Sequence, residues 1–149
     1  MAAPDPRFVV NVEVFLHHGD RWLLIRRGDP EAHATGTLAG VGGKVEAPGL
    51  GPEALEATAR REVREEIGVT LDGTPLLYAD SSFSVADDGD EVINVVFVAP
   101  LPDHARPFPA APDEVAEILW LTTEEATANP SCPPWIKRSL ERADSVKAA

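Results

Sequence analysis

The feature that most constrains this chain is the stretch GGKVEAPGLGPEALEATARREVREEIGV at residues 42–69, which indicates a glycine turn, a loop and an acidic helix. Pro52 follows Gly51, and proline is tolerated at the first helical position because its missing N–H would be unpaired there. Gly68 is a typical C-terminal stop for a helix. The sequence therefore predicts a helix from Pro52 to Ile67, with a loop before it.

The apolar side chains of this helix form one stripe, and two glutamates lie in or beside it. The stripe consists of Leu55, Ala59, Val63 and Ile67. At about 100° per residue, Glu66 falls within the arc of the stripe and Glu62 at its margin, while Glu56 shares the arc near the first turn. A buried carboxylate is costly unless it is paired or binds a metal ion. The positions of Glu62 and Glu66 therefore favour a polar site on the buried side of the helix.

Three carboxylates of this helix are close neighbours, because residues three and four apart share one face. Glu62 therefore faces both Glu65 and Glu66. Carboxylate oxygens suit hard cations such as Mg²⁺, Mn²⁺ or Ca²⁺, so the cluster could hold a metal ion. The alternative is an exposed helix whose glutamates are neutralised by the arginines of the same helix. Those arginines are Arg60, Arg61 and Arg64.

This stretch resembles the Nudix box, the signature G-x5-E-x7-R-E-U-x-E-E-x-G-U in which U is an aliphatic residue. The matching residues are Glu53, Arg61, Glu62, Val63, Glu65, Glu66, Gly68 and Val69. At the glycine end, nine residues separate Gly43 from Glu53 where the box has five, so residues 46–52 contain an insertion of four. The resemblance favours the metal site over the salt-bridged helix.

The resemblance to the Nudix hydrolases implies an α/β fold, an α/β/α sandwich with a mixed β-sheet. It also implies hydrolysis of a nucleoside diphosphate linked to another group, with Mg²⁺ as the cofactor and Mn²⁺ as an alternative. The implied metal ligands are Glu62, Glu65, Glu66 and the backbone carbonyl of Gly43. One carboxylate would accept a proton from the attacking water, and the identity of that residue is left open.

The resemblance assigns supporting roles to three further residues. Arg61 would orient Glu62 or pair with Glu53, and Glu53 would steady the helix or a metal ligand. Glu114 lies outside the box and is the first choice for an additional ligand or base. The alternative for Glu114 is a solvated acid in a loop.

Six residues are candidates for binding the substrate. They are Gly42, Gly43, Lys44, Arg27, Phe83 and Trp135. The two glycines allow the backbone to approach a ligand closely. The two cations could contact phosphate or remain surface charges. The two aromatic side chains could stack on a base, but burial in the core is the favoured interpretation for both.

The glycine run at residues 40–46 resembles that of MutT-like nucleoside triphosphate pyrophosphatases, including those that act on oxidised dGTP. The implied reaction converts a (deoxy)nucleoside triphosphate to the monophosphate and pyrophosphate. A nucleotide-sugar or dinucleotide (ADP-ribose-like) pyrophosphatase is the first alternative. A non-catalytic nucleotide-binding module is the second, and the intact glutamates speak against it.

Length and charge restrict the class of protein. The 149 residues fit a single domain over residues 1–149. A net charge of −12 argues against a nucleic-acid polymer as partner, because neutralising phosphates needs a basic surface. We expect no membrane span, since no apolar run approaches about 20 residues. With one cysteine and no secretion signal, we expect a cytoplasmic protein. A homodimer is an open possibility.

The hydrophobic pattern predicts six strands, in addition to helices. The predicted strands are 8–17, 21–27, 37–45, 76–85, 91–101 and 117–121, and residues 28–36 are predicted to form a loop. Thr122 and Glu125 form a capping-box pattern that opens a brief helix ended by Asn129 and Pro130. The last predicted helix spans 134–147. Strands before, between and after the helices favour a mixed sheet covered on both sides.

Overall fold

The computed structural model describes residues 5–28, 35–46 and 51–149, and within these ranges the chain forms seven strands and three helices. The strands are β1 (Val9–His18), β2 (Arg21–Arg27), β3 (Leu38–Ala39), β4 (Val41–Lys44), β5 (Leu77–Val85), β6 (Glu91–Pro100) and β7 (Val115–Leu121). The helices are α1 (Ala54–Ile67), α2 (Thr123–Ala128) and α3 (Pro134–Ala148).

The strands form one mixed sheet with the order β3-β2-β1-β6-β5, in which β4 also pairs with β1 and β7 with β2. Strands β1 and β6 are parallel, with Val14 opposite Phe97, and the other pairings are antiparallel. Helix α1 packs against β1 and β4, and α3 packs against β5 and β6. The expected α/β/α sandwich with a mixed sheet is confirmed.

Strand β1 lies at the centre of the sheet and supplies much of the core. Its residues Val14, Phe15 and Leu16 are fully buried, as is Trp22 on β2. A strand covered on both faces normally has a continuous apolar sequence. The polar residues of β1 are therefore exceptions that need a partner or a function. Within the described part of the chain, no helix is both long enough and apolar enough to span a membrane.

The strand predicted at 37–45 is two strands that pair with different neighbours. Strand β3 pairs with β2, placing Ala39 opposite Ile25, whereas β4 pairs with β1, placing Val41 opposite Val14. Gly40 lies between β3 and β4, at the point where the pairing partner of this segment changes from β2 to β1. The single predicted strand was wrong because periodicity does not reveal a change of partner. Residues 29–34 of the predicted 28–36 loop lie outside the described residues.

Helix α1 begins later than predicted. Its first residue is Ala54, and Glu53 is the N-cap with a left-handed backbone (φ 58°) and no side-chain capping bond. A left-handed conformation costs a non-glycine residue roughly 1 kcal/mol. Pro52 therefore belongs to the turn before the helix, and residues 47–50 of the insertion lie outside the described residues.

The second half of the chain follows the prediction closely. The capping box of α2 is present, since Thr122 accepts from the Glu125 N–H while the Glu125 carboxylate accepts from the Thr122 N–H. Helix α3 buries Ile136, Leu140 and Ala143 on one face. Strand β7 begins two residues earlier than predicted, because Val115 pairs with Arg27 beyond an irregularity in the ladder.

Candidate active site

A cavity of about 430 Å³ lies between α1 and β4, the strand that contains Gly42 and Gly43. Seven of the residues singled out in the sequence line it: Arg27, Gly42, Gly43, Lys44, Glu62, Glu66 and Glu114. Glu53, Glu65, Phe83 and Trp135 are not part of its lining. The fold therefore brings together most of the predicted site from three separate stretches of sequence.

The two glycines of β4 hold the strand against the carboxylates of α1. A Cβ atom on Gly43 would lie 2.4 Å from the Glu62 carboxyl carbon. The N–H of Gly42 donates to Glu66 Oε2 at 3.3 Å, and a Cβ atom there would lie 1.9 Å from the Val12 carbonyl oxygen. Each glycine is required by close approach, and each faces one glutamate of the helix.

Arg61 fixes the position of Glu62. Its Nη2 donates to Glu62 Oε1 at 3.1 Å and to the Lys44 carbonyl at 3.0 Å, so one guanidinium joins the helix to β4. Its Nε also lies 3.9 Å from Glu65 Oε1. Arg61 thus pairs with Glu62 and Glu65, while the exposed Glu53 contributes its backbone carbonyl to the first turn of α1.

Glu66 is a buried carboxylate whose ionisation is disfavoured. Its side chain is only 5% exposed, and burial, followed by the charge of Glu62, raises its pKa to about 8. The Gly42 N–H and the charge of Arg27 oppose this shift, and Glu114 adds to it. The pKa of Glu62 is also raised, first by burial and then by Glu65 and Glu114, against the opposing contacts of Arg61.

The salt-bridged alternative for α1 applies to only part of the cluster. Arg60 donates to the carbonyls of Leu71 and Thr74, so its charge is directed away from the glutamates. Among the described ion pairs, Arg61 reaches Glu62 and Glu65, and none involves Glu66. Glu66, the buried member of the cluster, therefore has no ion-pair partner among the described residues.

Glu62 and Glu66 fit the ligand chemistry of a hard divalent cation. They offer carboxylate oxygens beside a glycine backbone, and their pKa values are raised first by burial and then by neighbouring carboxylates, so a cation would favour their ionised forms. In the described residues, however, no three Asp, Glu, His or Cys side chains are already arranged as a metal site. Glu65 has a side chain that is 57% exposed and directed toward Arg61. The predicted three-glutamate set is therefore only partly assembled in this conformation.

A β-bulge brings Arg27 and Glu114 to the cavity. The register between β2 and β7 shifts between Arg26 and Arg27, which leaves Ala116 as an extra residue. The Gly28 N–H donates to the Glu114 carbonyl at 3.0 Å beside this bulge. Arg26 pairs with Glu117, whereas the Nε of Arg27 is buried with no hydrogen-bond partner. Of the two neighbouring arginines, Arg27 is therefore the one with a donor atom left for a ligand.

The two aromatic candidates lie on the surface. Phe83 on β5 is 54% exposed and makes an edge contact with Phe8 at 6.1 Å between ring centroids. Trp135 in the first turn of α3 is 59% exposed. The burial that the sequence favoured for both was wrong, because β5 is an edge strand and the first turn of α3 leaves Trp135 uncovered. Neither ring lines the cavity in this conformation.

Two polar cavity residues on β1, Asn11 and Glu13, were not among the residues predicted from the sequence. Glu13 is 9% exposed and its Oε2 accepts from the Gly40 N–H at 3.0 Å. Burial raises the pKa of Glu13, whereas the Gly40 N–H, the Asn94 side chain and Arg27 lower it. The signal was available: Asn11 and Glu13 stand at alternate positions in the apolar run VVNVEVFL and so share one face of the strand.

The raised pKa of Glu66 predicts how the stability of the metal-free protein depends on pH. The unfolded chain loses this proton near pH 4.5, whereas the folded protein keeps it up to about pH 8. Between these values the folded state holds more protons, so the free energy of unfolding falls as the pH rises. Glu66→Gln removes this penalty and should stabilise the protein by roughly 3 kcal/mol at pH 7, and by much less at pH 5.

Urea denaturation in the presence of EDTA measures this effect at the two pH values. The matched control is Glu124→Gln, because Glu124 is an exposed glutamate in the first turn of α2. An equal gain in stability at both pH values would contradict the raised pKa of Glu66.

Comparison with known proteins identifies sequence relatives over most of the chain. A family model described as NUDIX domain matches residues 7–142. The chain is 35% identical over 130 residues to "Uncharacterized Nudix hydrolase YfcD" of Escherichia coli K12, which covers 86% of this chain and 66% of the relative. The Salmonella typhi protein of the same name is 36% identical over 131 residues, with 86% and 64% covered. The chain thus spans about two thirds of the length of these relatives.

Two solved structures show a similar fold. A MutT NUDIX hydrolase from Burkholderia pseudomallei gives a TM-score of 0.75 with 21% sequence identity, covering 92% of this chain and 98% of the other. The MutT protein from Methanosarcina mazei Go1 gives 0.77 with 22% identity, covering 99% and 100%. At these identities the likeness is one of fold.

Proposed function

The chain belongs to the Nudix family, and from this premise we propose that it is a divalent-metal-dependent pyrophosphohydrolase of nucleotides. The proposed substrate is a (deoxy)nucleoside triphosphate, in native or oxidised form, and the products are the monophosphate and pyrophosphate. The observation that carries the proposal is the pair Glu62 and Glu66, which lie directly against Gly43 and Gly42 in the lining of a cavity that Arg27 and Lys44 also line.

Glu62 and Glu66 would hold a divalent cation together with the Gly43 carbonyl, and Glu65 would join them by turning away from Arg61. Such a cation neutralises charge on the phosphate oxygens and aligns the attacking water. We propose Mg²⁺ as this cation, with Mn²⁺ as a substitute. The oxygen-only donor set supports this choice, because hard cations prefer oxygen ligands.

The remaining charges of the cavity suit a diphosphate. Arg27 and Lys44 both line the cavity, and the Nε of Arg27 has no hydrogen-bond partner, so both side chains can donate to phosphate oxygens. Arg61 would keep Glu62 in place through its bond to the Lys44 carbonyl. Positioning of this kind provides most of the rate enhancement in phosphoryl transfer.

Hydrolysis of the anhydride requires one proton acceptor in the cavity. The oxygen of water bonds to phosphorus, the bridging P–O bond breaks with its electron pair on the leaving pyrophosphate, and one water proton passes to a carboxylate. Glu114 is our candidate acceptor, because it lines the cavity and is tied to β2 through Gly28.

A substrate panel tests the proposed function. Purified protein is incubated with Mg²⁺ or Mn²⁺ and with native and oxidised (deoxy)nucleoside triphosphates, ADP-ribose, a nucleotide sugar and a dinucleoside polyphosphate. We expect metal-dependent release of monophosphate and pyrophosphate from a triphosphate, measured by chromatography. Faster cleavage of ADP-ribose or a sugar nucleotide would show that the substrate belongs to that class instead. Binding without turnover of any compound would indicate a non-catalytic module.

We further propose that the active unit is the single domain of residues 1–149 and that it works in the cytoplasm on a small nucleotide. The net charge of −12 supports a small ligand over a nucleic-acid polymer. A homodimer stays a proposal, and sedimentation of the purified protein at several concentrations tests it.

A further inference from the structure

Glu13 is the third carboxylate that contacts the segment containing Gly40, Gly42 and Gly43. It lies on β1, whereas the other two lie on α1. Gly43 faces Glu62, Gly42 donates to Glu66, and Gly40 donates to Glu13 at 3.0 Å. Gly40 and Gly42 are two residues apart, which spans about 6.6 Å in extended chain. The Glu13 carboxylate therefore occupies its own position in the cavity lining, where it repels phosphate oxygens and can accept a hydrogen bond from a donor group of the ligand.

The neighbours of Glu13 make it a hydrogen-bond acceptor. The Gly40 N–H donates to Oε2, and the side chain of Asn94 lowers the pKa of the Glu13 carboxyl against the larger effect of burial, which raises it. Asn94 Oδ1 in turn accepts from Asn11 Nδ2 at 2.7 Å, so the Asn94 amide is oriented with its NH₂ free to donate. The bond from Asn11 therefore orients the Asn94 amide, and the Gly40 N–H holds the Glu13 carboxylate.

Anchoring of Gly40 does not account for a charged side chain at this position. A glutamine carbonyl would accept the Gly40 N–H equally well, without the cost of burying a charge. A carboxylate has about four acceptor sites, and the Gly40 N–H leaves others for a ligand in the cavity that Glu13 lines. Burial raises the pKa of Glu13, and the Gly40 N–H, the Asn94 side chain and the charge of Arg27 act against that rise.

We propose that Glu13 is a specificity-determining residue that accepts a hydrogen bond from an N–H or O–H group on the nucleoside half of the substrate. This inference rests on the proposed function, since it takes the occupant of the cavity to be a nucleotide. The donor is an exocyclic amino group of the base or the 2′-hydroxyl of the ribose. A ligand that lacks it leaves a buried acceptor unpaired and is rejected.

Binding of nucleoside monophosphates tests this inference without requiring turnover. The ligands form pairs that differ by one donor: GMP against IMP, AMP against purine riboside monophosphate, and GMP against dGMP. We expect the wild-type protein to prefer the donor-bearing member of at least one pair by about tenfold or more in titration calorimetry. The first two pairs identify a base donor, and the third identifies a ribose hydroxyl.

The variant Glu13→Gln should reduce that preference toward a ratio of one, because the amide presents a donor where the carboxylate accepted. Glu91→Gln, at the exposed start of β6, is the matched control and should leave every ratio unchanged. With the donor-bearing triphosphate, Glu13→Gln should raise KM about tenfold or more with little change in kcat. A thermal melt of each variant confirms folding. If Glu13→Gln does not fold, Asn94→Ser replaces it, because it loosens the carboxylate without touching Gly40.

Three results would overturn the inference: no preference in the wild type for either member of any pair, the same loss of affinity for both members in the variant, or no binding of any nucleotide. Absence of turnover together with a preference that depends on Glu13 would instead refute the proposed hydrolysis and support the role of Glu13.

Discussion

The Glu66→Gln variant should hydrolyse the preferred nucleotide on the order of 10³-fold more slowly than the wild type, although it folds and is more stable without metal. A bound cation contributes several kcal/mol of charge stabilisation to such a reaction, and each 1.4 kcal/mol corresponds to about tenfold in rate. The neutral amide keeps the shape of Glu66 and its contact with the Gly42 N–H, so the loss reports charge.

Initial rates at saturating Mg²⁺ and isothermal titration of Mg²⁺ measure the two parts of this effect. We expect both turnover and metal affinity to fall in Glu66→Gln and in Glu62→Gln. The control Glu124→Gln should behave as the wild type, because Glu124 is exposed on α2 and remote from the cavity lining. Wild-type turnover in both active-site variants would show that these carboxylates do not hold the metal.

The second large effect is expected at the two glycines of β4, where neighbouring residues should respond differently to alanine. A Cβ atom at Gly42 would lie 1.9 Å from the Val12 carbonyl oxygen, inside the β1–β4 ladder. Backbone atoms cannot move aside there without breaking the ladder. Gly42→Ala should therefore lower the free energy of unfolding by about 3 kcal/mol.

The same change at Gly43 meets the end of a side chain. Its Cβ atom would lie 2.4 Å from the Glu62 carboxyl carbon, and the carboxylate can rotate away at a cost of about 1 kcal/mol. Gly43→Ala should therefore stay folded but lose most of its activity, because Glu62 leaves its position. Urea denaturation and initial rates distinguish the pair. Equal destabilisation of both variants would contradict the distinction between a backbone clash at Gly42 and a side-chain clash at Gly43.

Part of the fold and of the site could be predicted from the sequence alone. The spacing of the box residues predicted the helix, its C-terminal stop at Gly68 and the burial of Glu66, because helical periodicity is a local property. The change of pairing partner at Gly40 depends on where β1 and β2 diverge. That divergence is set by packing between residues far apart in sequence, which no local pattern reports.

The sequence by itself determined the family, the acidic helix and the glycines that face it, since all of these lie within residues 42–69. Only the tertiary structure decided which other residues share the site. It brought Arg27 and Glu114 to the cavity through the bulge in the β2–β7 ladder and left Phe83 and Trp135 on the surface. It also placed Glu13 beside Gly40, because β1 and β4 run antiparallel in a register that sets Glu13 opposite Gly42. Strand register is a long-range property, and it makes a lone glutamate in an apolar strand part of the site.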